Sequence, residues 1–407
     1  MKTTLSLLLT CIVAITSYSQ QIDVLIKNGR VVDPKNNIDA IMDVAIIGNK
    51  ISEIAAKITK PAKKTIDATG FYVTPGLIDI HGHHYFGTES DQYLSDSYSA
   101  LPPDGFTFRA GVTTVVDAGG AGWRNFPDFK NQAFANSKTR MFAFLNIVGS
   151  GMRGGAYEQN TNDMDSKLTA MMAKQYPDLI VGIKLAHYMS SEWIPTDRAV
   201  EAGKLANIPV MVDFGAADPL LSWETLLLEK LRPGDIVTHC FGQTAGRMHI
   251  VENGKVQAYA TAAQKRGVIF DVGHGGGSFM YSQAIPAITQ GFKPNSISTD
   301  LHTGSMNGGM KDMINVMSKL MNIGMTLNEV IACSTWNPAQ FIKKDLGHLS
   351  VGALADVALL SIEKGTFGFV DVGGFKVNGD KKLSCQLTIL NGEVVWDLNG
   401  LTATSYK

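Results

Sequence analysis

The sequence predicts an α/β protein, a (β/α)8 barrel of the TIM type with a small β-sandwich built from both chain ends. Three observations carry this. Eight apolar, strand-like runs recur in the middle of the chain, at residues 77–83, 113–118, 141–148, 179–185, 209–215, 235–241, 268–274 and 296–302. Between several of them lie amphipathic stretches with helical spacing, at 167–176, 197–207, 224–231, 256–265 and 310–320. Short β-branched runs with Asn-Gly and Gly-Asn turn signals open and close the chain. Strand and helix in alternation imply right-handed crossovers and a parallel sheet. Eight near-continuous apolar strands over roughly 270 residues fit a closed barrel better than an open Rossmann-like sheet.

In chain order, residues 1–20 read as a secretory signal: Met1-Lys2 is a short basic start, residues 5–15 are apolar, and Ser17-Tyr18-Ser19 offers the small residues at which cleavage near Ser19 or Gln20 is expected. The apolar run is short of the roughly 20 residues of a membrane span. An exported, periplasmic protein without stable membrane association after cleavage is therefore expected, with an uncleaved anchor as the alternative. Lipid attachment at Cys11 is not expected, because Ile12-Val13-Ala14-Ile15 would then form an apolar mature end. Residues 21–74 supply the first part of the sandwich, 75–345 the barrel and 346–407 the second part, including Ala355-Asp356-Val357-Ala358 and Gly392-Glu393-Val394-Val395-Trp396.

Composition narrows the partners. Of 407 residues, 36 are Lys or Arg and 37 are Asp or Glu, a net charge of −1, too balanced for a nucleic-acid or anionic-membrane partner. A small-molecule substrate is expected instead, and a homo-oligomer is compatible with the sequence. Hydrophobic residues make up 45% and charged ones 18%, enough for a large core. Beyond the signal, Cys240, Cys333 and Cys385 are odd in number and far apart, so buried apolar packing is expected of them rather than a disulfide framework.

Polar residues fall at the C-terminal ends of the strand-like runs, where barrels of this kind place chemistry. The first run ends Asp79-Ile80-His81-Gly82-His83. Residues two apart on a strand face the same way, so His81 and His83 can share one metal ion, while His84 faces oppositely. The fourth run carries Lys184 inside Ile180-Val181-Gly182-Ile183-Lys184-Leu185. A buried lysine loses its proton, and the neutral amine can take up carbon dioxide as a carbamate whose two oxygens bridge two metals; a salt-bridged lysine is the alternative. His239 ends the sixth run and Asp300 the eighth, facing the same mouth.

With Pro75-Gly76-Leu77-Ile78-Asp79, Lys184 in Gly-Ile-Lys, and Asp300 in Ser-Thr-Asp-Leu-His, these residues resemble the amidohydrolase superfamily. The likeness extends through Gly111-Val112-Thr113-Thr114-Val115-Val116-Asp117 and Leu349-Ser350-Val351-Gly352-Ala353-Leu354-Ala355-Asp356 to nearly the whole chain, and is closest to its dihydroorotase-like deacetylases. The resemblance implies a barrel holding two divalent ions, Zn2+ with Mn2+ as the alternative, bridged by N6-carboxylated Lys184. One position departs from it: the fifth run ends in Asp213 where the family usually has histidine. Asp213 either binds the second metal with Lys184 and His239 or supports a ligand without touching the metal, and its charge favours harder ions.

The implied activity is hydrolysis of an amide or ester of a small acylated substrate, such as an N-acyl amino acid, an amino sugar or an acylated hydroxy acid. A hydroxide shared by the metals attacks, and Asp300 takes its proton and delivers it to the leaving group. Opening of a cyclic amide, as in dihydroorotases and hydantoinases, is the alternative. A non-catalytic scaffold would have lost ligands that all stand here, and a one-metal deaminase would not need Lys184. His274, Arg153 and His302 are the expected substrate contacts. Each has a structural alternative: packing for His274, solvation at a loop tip for Arg153, capping for His302. His187 and the methionines between 306 and 317 are expected to be structural.

Overall fold

The computed structural model describes residues 21–87, 99–213 and 217–406; the expected signal segment lies outside the described residues. The chain starts with β1 (Ile22–Asp33), β2 (Ile38–Ile47), β3 (Lys50–Ala55), β4 (Ala62–Asp67) and β5 (Tyr72–Pro75). β1 pairs in parallel with β4 through its first half and with β5 through its second, a change of partner that occurs at Asn28-Gly29. Asn28 is left-handed there, with φ 63°, and its amide donates to Asp43 at 2.9 Å, so the register against β2 slips by a bulge. A side chain at Gly29 would strike Val73, which explains the glycine.

The barrel follows: β6 (Leu77–Gly82), β7 (Val112–Gly122), β8 (Arg140–Asn146), β9 (Ile180–Leu185), β10 (Val210–Val212) and β11 (Ile236–Val237). A short hairpin, β12 (Val251–Glu252) and β13 (Lys255–Val256), precedes β14 (Ile269–Phe270). Seven of these strands form one parallel sheet in the order β14-β11-β10-β9-β8-β7-β6. Residues 296–301 join its two edges through parallel bridges Asp271–Ser296 and Gly82–Leu301 and so supply the expected eighth stave. The later strands are shorter than the apolar runs that predict them. The chain leaves the ladder early because His239 and Asp300 adopt φ 58° and 51°, and Gly273 φ 45°, conformations that turn polar groups toward the mouth.

The helices sit close to their predicted spans, for example Ser166–Gln175, whose N-terminus is capped by Asp165, and Ile194–Ala206, which ends at left-handed Asn207. The stretch expected as a helix over 224–231 is instead one helical turn followed by a π-helical turn, Leu226–Lys230. Met310, Met313 and Met317 are buried packing residues, as expected. Cys240, Cys333 and Cys385 are free and buried. No helix among the described residues is long and apolar enough to cross a membrane.

The chain then returns to the first sheet with β15 (Val357–Val370), β16 (Lys376–Leu390) and β17 (Glu393–Asp397). β15 lies antiparallel to β5, with Leu359 opposite Val73, so the sandwich expected from the two termini is one continuous eight-stranded sheet. Its interior gathers Val24, Ile26, Val31, Val44, Ile46 and Val73 from one end of the chain with Val357, Leu359, Leu387 and Ile389 from the other. Leu359 is fully buried at this seam. Leu359→Ala is expected to lower the unfolding free energy by about 2–5 kcal/mol, measured by denaturant titration. A loss well under about 1 kcal/mol would show that the seam closes around the gap.

Candidate metal centre

Strand ends converge on a cavity of about 450 Å3 whose lining includes all six expected ligands, His81, His83, Lys184, Asp213, His239 and Asp300. His81 is on β6 and His83 just beyond it. His83 Nε2 lies 2.9 Å from Asp300 Oδ1, and His81 Nε2 lies 3.6 Å from the same oxygen. Ligand atoms of these three residues all fall within 4.8 Å of one another. Lys184, fully buried on β9, sets its Nζ 3.4 Å from His81 Nε2 and 3.7 Å from Met211 Sδ. Its stem runs over Gly119, where a Cβ would approach Lys184 Cγ to 2.6 Å. Among the described residues no carboxylate is within ion-pair distance of this amine, and burial pushes its pKa down.

Beside this cluster, with its ring centroid 5.0 Å from that of His81, His239 sets its Nε2 3.1 Å from Asp213 Oδ2. His239 Nδ1 is 2.6 Å from the Gly273 carbonyl, which can only accept, so Nδ1 carries a proton and Nε2 is the nitrogen turned to the Asp213 oxygen. His83 Nδ1 is buried and has no hydrogen-bond partner among the described residues. Nitrogen and oxygen donors on either side of a buried amine therefore fit divalent ions of the Zn2+ and Mn2+ type.

The extra charge of Asp213 is balanced on the spot. Arg247 Nη2 donates to its Oδ1 at 2.7 Å, and His187 Nε2 lies 3.2 Å from its Oδ2 while His187 Nδ1 meets Glu158 at 2.9 Å. Burial pushes His187 toward neutrality, but Asp213 and Glu158 outweigh it and raise its pKa to about 10, so the ring is a cation. Burial likewise works against the ionised form of Asp213, and the attraction of His239 and Arg247 prevails, holding the carboxyl well below its ordinary range. Burial, reinforced by Lys184, lowers His81 to about 3, which leaves it neutral and able to ligate.

A deacetylase of Brucella anthropi is 34% identical over 370 residues, spanning 88% of this chain and 88% of that protein. The chain belongs to the amidohydrolase family. The profile of the Amidohydrolase family matches residues 280–395. A crystal structure of an adenine deaminase covers 93% of the chain and all of its own at 30% identity and a TM-score of 0.82. One of a dihydroorotase covers 92% and 99% at 28% and 0.81. The amidohydrolase is thus an α/β-barrel hydrolase acting on amide bonds of small molecules.

Within this amidohydrolase the expected substrate contacts divide. His302 lines the cavity with its Nε2 3.9 Å from Asp300 Oδ2, and its Nδ1 accepts from the Gly304 amide, so it caps the following turn and faces the site at once. Arg153 does not line that cavity; it stacks at 4.2 Å over Tyr157 in a neighbouring one that shares His187 and Met189. His274 turns away. Its ring stacks on Phe279 at 4.6 Å and its Nε2 meets Lys319 Nζ at 2.7 Å, fully buried outside the cavity lining, because the chain reverses at Gly273. Sequence reasoning missed Arg247 and assigned His187 to structure, although both border the cavity; each sits in a loop without periodicity to mark its direction.

Lys319 gives a pH-dependent test. Burial lowers its pKa from 10.5 to about 7. Between those values the unfolded chain holds a proton that the folded one refuses, so stability falls as pH drops through this window and levels below it. The stability of Lys319→Met relative to the parent is expected to rise as pH is lowered from 10.5 to about 7 and then stay flat, measured by denaturant titration across pH. A difference independent of pH would show the amine charged in the fold.

Proposed function

We propose that the protein is an exported, metal-dependent deacetylase that removes a small acyl group from an N-acyl amino acid, an amino sugar or an acylated hydroxy acid. The observation that carries this is Lys184: a fully buried amine with no carboxylate at ion-pair distance among the described residues, 3.4 Å from His81 in a cavity also lined by His83, Asp300, His239 and Asp213. In this reading Lys184 would be carboxylated, His81, His83 and Asp300 would hold one metal, and His239 and Asp213 would hold a second. When bound, such ions supply Lewis acidity that lowers the pKa of water toward about 7 and polarises an acyl carbonyl. The deacetylase name of the Brucella anthropi relative supports acyl removal.

The protein's own groups divide the remaining work. Asp300 Oδ1 is engaged by His83, whereas Oδ2 has no hydrogen bond among the described residues and faces Gly275, where a Cβ would come within 2.2 Å. Oδ2 is therefore the oxygen that takes a proton from the attacking water and returns it to the leaving group. His302 presents Nε2–H beside it and can hold the substrate oxygen. The dihydroorotase neighbour supports a second reading, opening of a cyclic amide.

Metal analysis of the purified protein, followed by a panel of N-acyl, O-acyl and cyclic amide compounds, tests the proposal. Close to two metals per chain and release of acetate from acylated substrates are expected; a metal-free active protein would overturn it. Asp300→Asn should cut turnover by about 10² to 10⁴ with substrate binding largely kept. Parent-level turnover would move the proton transfer elsewhere. Lys184→Ala should lose metal and activity together, with partial rescue by added short carboxylic acids, and full unrescued activity would remove the bridging role. Sequencing of secreted protein should find a mature N-terminus near Gln20 or Gln21, and an intact Met1 would refute cleavage.

A further inference from the structure

Beneath the site lies a carboxylate that the reaction does not use. Asp271, just after β14, is fully buried and accepts three hydroxyl protons: Ser296 Oγ donates to Oδ1 at 2.6 Å, and Thr238 Oγ1 and Ser298 Oγ each donate to Oδ2 at 2.7 Å. A carboxylate can only accept and a hydroxyl has one proton, so each of these oxygens turns lone pairs to its other neighbours. Thr238 Oγ1 lies 2.9 Å from His81 Nδ1. With its proton committed to Asp271, it must receive from that nitrogen, so His81 is protonated on Nδ1 and bare on Nε2.

The second branch reaches His239. Ser298 Oγ, its proton also committed, accepts from the Gly273 amide at 3.0 Å. Gly273 is held in a left-handed turn where a Cβ would meet Thr238 Oγ1 at 2.3 Å and His239 Nδ1 at 2.8 Å, so only glycine fits between the two branches. Its carbonyl receives the Nδ1 proton of His239 at 2.6 Å. The histidines lie on strands far apart in sequence, yet their proton positions trace to one buried group.

We infer that Asp271 is a positioning residue which, through Thr238 on one side and Ser298 and Gly273 on the other, fixes the tautomers of His81 and His239 and leaves the Nε2 of each free for a divalent ion. This rests on the metal centre proposed above. Partners of this kind that orient a histidine ligand contribute about 10- to 100-fold in metal affinity.

The test uses Thr238→Val, which keeps the shape and removes the hydroxyl, and Thr238→Ser, which restores it. Zn2+ affinity is measured by competition with a chromophoric chelator, with circular dichroism to check the fold. The valine variant should bind Zn2+ about 10- to 100-fold more weakly and the serine variant close to the parent. Parent-like affinity in the valine variant overturns the inference. Nitrogen NMR of histidine-labelled parent protein, before and after Zn2+ loading, needs no variant to fold: both rings should carry the proton on Nδ1, and an Nε2 proton on either overturns the assignment. If the parent bound no Zn2+ at all, the metal reading would fall, while the spectra of the metal-free protein would still decide the tautomers.

Discussion

Closure of the barrel between its first stave and its last is the contact on which the site depends. The Asp300 amide donates to the His81 carbonyl at 2.7 Å, and the His83 amide to the Leu301 carbonyl at 2.9 Å. Residues more than two hundred positions apart become neighbours there, which is what assembles His81, His83 and Asp300. The seam has a cost. Asp79 is buried beside it, accepting from the Thr299 and His81 amides, and burial raises its pKa to about 7. A carboxyl in such a place holds the backbone of both staves and takes no part in the chemistry above it.

Much of this was legible in the residues themselves. The two-residue spacing of His81 and His83 reports a shared face, and a lysine within Ile180-Val181-Gly182-Ile183 signals a buried amine, because strand periodicity fixes direction. Direction is lost once the chain leaves the strand. His274 ends an apolar run as His239 does, yet one left-handed glycine before it sends the ring into the core. Arg247 and His187 lie in loops, where no periodicity tells which way a side chain points. The Asp271 network was hidden for a different reason: serine and threonine in a strand read as ordinary packing until their protons are counted against a carboxylate.

The end of the fifth barrel strand shows how a buried carboxylate is accommodated where the resemblance leads one to expect histidine. Exchanging a neutral imidazole for a carboxylate adds a unit of buried charge, which would be expensive alone. Here Arg247 meets one oxygen and the His187 cation the other, and Glu158 in turn anchors His187. Four residues from four separate segments thus act as a balanced set, so Asp213 is best understood together with its counter-charges. Arg247 and His187 line the cavity together with the carboxylate that they neutralise.

The pairing of β5 with β15 has a consequence for how the molecule is made. Thr74 and Ala358, which meet at that seam, are 284 residues apart in the chain. During synthesis β5 emerges long before its partner, and its hydrogen-bonding edge must wait while the whole barrel is produced. The first five strands therefore form half of an unfinished sheet for most of the time the chain is growing. A cell that makes this protein must keep that edge from meeting others of its kind, so assembly is most vulnerable to concentration and to cutting of the chain at either end, far from the chemistry.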